Sequence, residues 1–158
     1  MRFTCLFILC CWLSNSQAQM SDTSLLIGKI ELKNIKEYSW YAPSFNEYIV
    51  DQNVIDSLKP YADDIKIMAI IGTWCSDSKE HIPALFKIIE QADIQTDQIE
   101  LIGVDRKKHC PFPNITELNI EYVPTLFIFY KGKLVGKIIE TPTHSIEADM
   151  LELLMENK

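Results

Sequence analysis

The sequence predicts an α/β fold: a mixed central sheet, parallel strands followed by a C-terminal antiparallel hairpin, with helices on both faces. Three observations predict it. Residues 65–71 form a nearly continuous apolar run of strand length, as expected of a strand covered on both sides. Ile82, Leu85, Phe86 and Ile89 then recur at helical spacing and give the next segment one buried face. Residues 126–130 and 134–140 flank the turn Lys131-Gly132-Lys133 and read as a β-hairpin.

The first 18 residues read as an address. Arg2 supplies a short positive start, residues 3–13 are apolar except for Thr4, and Ser14-Asn15-Ser16-Gln17-Ala18 is small and polar. This is the pattern of a secretory signal peptide cut after Ala18, leaving Gln19 at the mature N-terminus. A lipid anchor at Cys10 or Cys11 fits less well, because Leu9 or Cys10 stands where a small residue is wanted. Residues 19–50 form an N-terminal extension, in which 27–35 could be an edge strand or an arm and Pro43 breaks the chain. Residues 51–158 form the domain proper.

Within the domain, Asp51 is a plausible N-cap for a helix through Val54, Ile55, Leu58 and Tyr61, with Pro60 near its end. The strand at 65–71 ends at Gly72, and the amphipathic helix follows. A second buried strand spans 99–104. A loop with Pro111 and Pro113 leads to a short helix around 115–118, and then to the hairpin. The last helix, 145–155, carries Ile146, Met150, Leu153 and Leu154 on one stripe, and its acids Glu147, Asp149, Glu152 and Glu156 read as a solvated face. Trp40 and Tyr41 beside Pro43 read as packing for the extension.

Composition narrows the function classes. With 158 residues, 47% hydrophobic and 10% aromatic, the chain suits one domain with a sizeable core. Its 22 acidic against 15 basic residues give a formal charge of -7, without a Lys/Arg-rich run, so nucleic acid is not an expected partner. No apolar stretch reaches the ~18–20 residues that span a bilayer, so no integral segment is expected in the mature protein. Cys5, Cys10 and Cys11 leave with the leader, and only Cys75 and Cys110 remain. Two cysteines allow one disulfide or two separate thiols, not a stapled scaffold.

The chemistry concentrates at Gly72-Thr73-Trp74-Cys75-Ser76-Asp77-Ser78, between a buried strand and a helix start. A cysteine there meets unpaired backbone N–H groups and the positive end of the helix dipole, which favour thiolate, while Asp77 works against it. Ser78, three residues on, could donate a hydrogen bond to that thiolate. His81, His109 and Cys110 match no common zinc spacing, so no metal is expected, and no cofactor is called for. His81 reads as a solvated residue on the first turns of the helix.

Trp74-Cys75-Ser76-Asp77-Ser78 resembles the W-C-x-x-C active site of the thioredoxin family, with Ser78 in place of the second cysteine. Val123-Pro124-Thr125, 48 residues after Cys75, resembles that family's cis-proline loop, and Pro83 matches the proline of its active-site helix. The hairpin and final helix follow in the same order, so the resemblance spans residues 50–158. It implies a thioredoxin-like fold with Cys75 as nucleophile. It also implies a substrate-binding surface of Trp74, Val123, Pro124 and Thr125, with Pro124 cis and the Val123 backbone turned toward an extended peptide.

Two positions depart from the family pattern. No resolving cysteine stands at 78, and Ala69 occupies the place of the family's buried acid. Three routes remain open. An external thiol releases Cys75, Cys110 resolves it, or the site is redox-idle and only holds peptides. The expected function is thiol–disulfide exchange on protein substrates through a single cysteine, by mixed-disulfide reduction or isomerisation, in an exported and periplasmic setting. A low-molecular-weight thiol or a membrane reductase would supply electrons. The alternative is a redox-inactive, peptide-binding or chaperone-like module.

Overall fold

The computed structural model describes residues 24–112, 115 and 117–157. The expected signal peptide with Cys5, Cys10, Cys11 and the expected cut after Ala18, residues 19–23, and Pro113 lie outside them. The chain order is β1 (Gly28–Ile30), α1 (Leu32–Lys36), α2 (Tyr41–Glu47), α3 (Gln52–Leu58), a 3-10 turn (Lys59–Asp64), β2 (Ile65–Ile71) and α4 (Ser76–Gln91). A second 3-10 turn (Thr96–Gln98) leads to β3 (Ile99–Gly103), β4 (Thr125–Tyr130), β5 (Lys133–Ile139) and α5 (Ile146–Glu156).

The five strands form one sheet in the order β1-β3-β2-β4-β5. β2 and β3 are parallel, with Ala69 opposite Leu101, and β4 runs antiparallel to β2 with Leu126 opposite Ala69. β5 returns antiparallel along β4, with a register irregularity between Ile128 and Phe129. The two strands expected to run parallel do so, and within residues 27–35, read as an edge strand or an arm, the strand β1 joins β3 antiparallel, Lys29 opposite Ile102.

Strand alternation separates two faces. Ile65, Ile67, Ala69 and Ile71 of β2 and Leu126 and Ile128 of β4 point into the larger core, where Ile55, Leu58, Ile82, Leu85, Ile88 and Leu154 are fully buried. Ile70, Ile102 and Phe127 point to the opposite face, a smaller cluster completed by Val104, Ile115 and Val123. The helices α1 to α5 contribute to the larger core. The second face is covered by the connection from β3 to β4, in which Ile115 and Glu117 are helical.

Pro43 does not break the chain. It sits in the first turn of α2, where its missing N–H would have no intrahelical partner. Lys87 of α4 reaches the far end of that helix and donates to the carbonyls of Asn46 at 3.1 Å and Tyr48 at 2.6 Å. Asp51 caps α3 by accepting from the N–H groups of Asn53 and Val54.

The acidic face of the last helix also differs from expectation. Glu147 and Asp149 are buried, 1% and 9% exposed. Glu147 accepts from the Tyr48 hydroxyl at 2.6 Å and from the Asp51 N–H at 3.0 Å, while Asp149 accepts from the N–H groups of Thr143 and His144. A buried carboxylate needs such donors, and these come from loops distant in sequence or just ahead of the helix. Trp40 and Tyr41 pack against the larger core, as their place in the extension suggests.

Candidate functional site

Cys75 is the N-cap of α4, at the carboxyl end of β2. A tight turn places it there: Cys75 N–H donates to the Gly72 carbonyl at 2.9 Å. The sulfur is half-buried, and its thiol faces the Val123 carbonyl at 3.1 Å. The peptide bond between Val123 and Pro124 is cis, as the thioredoxin resemblance implies. Two chain segments 48 residues apart therefore meet at the thiol.

Each neighbour of Cys75 is braced separately. Trp74 lays its indole on Gly72, where an added Cβ would lie 2.7 Å from the ring, and its Nε1 donates to the Val104 carbonyl at 3.0 Å. Thr73 is 1% exposed, and its hydroxyl donates to the Ser24 carbonyl at 3.0 Å while accepting from Leu26 N–H at 3.4 Å. Ser78 is 1% exposed and its Oγ accepts from Gly72 N–H at 3.2 Å, tying the first turn of α4 to the end of β2. Thr125 is also buried, and its hydroxyl donates to the Tyr122 carbonyl at 2.8 Å, closing the turn that carries Val123 and Pro124. Asp77 sits in the first turn of α4, where its carboxylate accepts from Ser76 Oγ at 3.3 Å.

Around this thiol the walls are mostly apolar. Val123 is 3% exposed and Pro124 is buried. His81 is half-buried rather than solvated, lining with Pro124, Glu140 and Pro142 a crevice too tight for a water molecule. On the second face a cleft of about 250 Å³ runs beside Tyr122, Thr125, Phe127 and Ile139. Ala69 is fully buried in the larger core, so an apolar side chain fills that position under the site.

Cys110 lies on the loop after β3. It is half-buried and free, and it receives the Phe112 N–H at 3.4 Å. Both Cys75 and Cys110 pack against the smaller apolar cluster. Among the described residues no three His, Cys, Asp or Glu side chains stand together as a metal site, and no helix is long and apolar enough to cross a membrane.

The loop contains a group that sequence reasoning passes over. Arg106 holds its guanidinium 5.3 Å from the centroid of the Trp74 ring. Its signal in the sequence is its rarity, since it is the only arginine after Arg2. The loop that carries it is closed by Asp105, whose carboxylate accepts from the N–H groups of Lys107 and His109, both at 2.8 Å. The His109 N–H, then that of Lys107, holds this carboxyl below the ordinary carboxylate range.

No family model and no curated relative matches the chain. Among solved structures it is similar to a protein of unknown function from Pseudomonas aeruginosa, with 13% identity over 81% of this chain and 88% of that one and a TM-score of 0.59. That likeness is one of fold. The chain is also similar to thioredoxin O1 from Arabidopsis thaliana in its oxidized state, 23% identical over 68% of this chain and 90% of that one, with a TM-score of 0.39. Mitochondrial thioredoxin 3 from Saccharomyces cerevisiae, in oxidized form, is 22% identical over 73% of this chain and 99% of that one, with a TM-score of 0.39.

Proposed function

We propose that the chain exchanges thiols and disulfides on protein substrates through Cys75 as its single nucleophile. One observation carries the reading. A half-buried cysteine stands at the N-cap position of the 16-residue helix α4, next to Trp74 in the chain, with its sulfur against the carbonyl of Val123 in the Val123–Pro124 turn. Helix N-terminal amides favour sulfur in its anionic form, and the turn offers the Val123 backbone for pairing with an extended chain. Trp74, Val123, Pro124 and Thr125 form the binding surface in this reading, Thr125 by fixing the turn.

In the exchange, the Cys75 thiolate attacks one sulfur of a substrate disulfide and releases the other as a thiolate. The new Cys75–substrate bond has no thiol at position 78 to break it, since Ser78 carries oxygen. A second substrate thiol can then displace Cys75, which isomerises the substrate without net electron transfer. Where the disulfide joins two molecules, an external thiol, from a small thiol or a membrane reductase, attacks the half retained on Cys75 and leaves in a disulfide with it; Cys75 is regenerated as the thiolate, and the half released first is the reduced product. We place this chemistry outside the cytoplasm, in the periplasm, on the strength of the apolar leader and its Ala18 cleavage site.

Peptide mass mapping after treatment with glutathione disulfide tests the reading. The expected result is glutathione on Cys75 with Cys110 free, and loss of exchange activity in Cys75→Ser. A Cys75–Cys110 disulfide would replace the single-thiol mechanism by a two-thiol one. An unmodified Cys75 would favour the second reading, a redox-inactive peptide-binding module. The observation behind that alternative is the cleft beside Tyr122 and Ile139, both 50% exposed, next to the Val123–Pro124 turn. Such a module would keep its partner in Cys75→Ser.

A further inference from the structure

The environment of Arg106 assigns a substrate preference to the site. Trp74 cannot swing freely, because it is pinned by its bond to Val104 and its seat on Gly72. The guanidinium over the Trp74 ring at 5.3 Å is therefore held beside the residue that precedes Cys75, whose sulfur meets the Val123 carbonyl. Arg106 is exposed, so its N–H donors face solvent. In a chain of formal charge -7 it makes no ion pair among the described residues.

The nearby carboxylates are otherwise engaged or elsewhere. Asp105 accepts from the amides of Lys107 and His109, Asp77 from Ser76, and Glu140 lines the crevice beyond Pro124. The other cations of the described chain are lysines, apart from the histidines. Arginine is not interchangeable with them, because its planar fork binds a carboxylate through two parallel hydrogen bonds and stacks on an aromatic face.

We propose that Arg106, stacked on Trp74, receives a carboxylate carried beside the substrate disulfide, so that Cys75 exchanges preferentially with acid-flanked disulfides. This rests on exchange at Cys75 as proposed above. The carboxylate belongs to a glutathionyl mixed disulfide or to an acidic residue next to a substrate cysteine. In either case the thiolate attacks, the carboxylate-bearing half stays on Cys75 against Arg106, and the other half leaves as a thiolate.

The test compares second-order rates of Cys75 modification by glutathione disulfide, its tetraethyl ester and neutral dithiodipyridine. Matched peptide disulfides with Glu or Gln beside the cysteine form a second arm. The expected preference of glutathione disulfide over its ester, or of the Glu over the Gln peptide, is about tenfold or more. It should shrink as ionic strength rises. In Arg106→Gln the rate ratio between acidic and neutral disulfides should fall about tenfold, with Arg106→Lys intermediate. Preference in the glutathione arm alone identifies the small thiol as the source, and preference in the peptide arm alone identifies a protein segment. Reaction with dithiodipyridine but no acidic preference in either arm would overturn the role of Arg106 and leave the exchange reading standing. No reaction with any of these disulfides would overturn both.

Discussion

Ser78 stands three residues after the thiol, where its hydroxyl could face either the sulfur or the backbone behind it. Its Oγ meets the Gly72 N–H at 3.2 Å in a fully buried position. The bond closes a short circuit from Gly72, just after β2, to the first turn of α4, with Cys75 inside it. Removing the acceptor would leave a buried amide unpaired, which costs about 1–3 kcal/mol. Ser78→Ala should therefore lower the unfolding free energy by about that amount in a denaturant titration, with an unchanged slope. Thr73 acts comparably on the other side, holding the Ser24–Leu26 backbone to the start of the site loop. The loop around Cys75 is thus built from residues whose side chains are committed to backbone groups.

At the scale of elements, the edge strand β1 depends on one missing side chain. A Cβ on Gly103 would lie 2.0 Å from the carbonyl oxygen of Leu26, a backbone atom that no rotamer change can move. Gly103→Ala should displace the 24–30 segment, lowering stability by about 3 kcal/mol, the upper end of overpacking costs. Hydrogen exchange at the β1 amides should rise more than at β2, since loss of an edge strand opens the sheet locally. The same strand shows where sequence reading stops. The apolar run of β2 and the Ile82–Ile89 spacing of α4 are local signals, and both elements form where those signals put them. The direction of a three-residue edge strand is fixed by contacts with residues some 75 positions away, which no window of sequence contains. Pro43 is read as a breaker because its position within a helical turn is invisible until the helix start is known. Arg106 is hidden for a related reason: only the fold brings it against Trp74.

Over the whole molecule, the extension and the last helix are joined through a buried polar lock. Glu147 receives Tyr48 and Asp51, residues nearly a hundred positions earlier, while Tyr41 is buried in the core under α4. Helical periodicity marks Glu147 as a surface acid, and only the arrival of those donors explains its burial. Tyr48→Phe should cost about 1.5–3 kcal/mol, the range for a hydrogen bond to a charged group, because Glu147 stays buried with one donor fewer. The lock also predicts how stability responds to alkali. Burial, aided by the nearby Glu90 charge, raises the Tyr41 phenol above its ordinary value, and burial with the Glu147 contact does the same for Tyr48. In the unfolded chain both phenols ionise near pH 10, while in the folded chain they hold their protons to higher pH. The stabilisation is therefore fully present below about pH 10 and is lost as pH rises from there through the folded-state values, at up to about 1.4 kcal/mol per pH unit for each phenol. Denaturant midpoints measured between about pH 8 and 11.5 should stay level at first and then fall. Tyr48→Phe should start lower and fall less steeply, because one of the two titrating groups is gone. An equal slope in the variant would mean that Tyr48 does not couple to folding, and that the Glu147 lock is not what joins the extension to the domain.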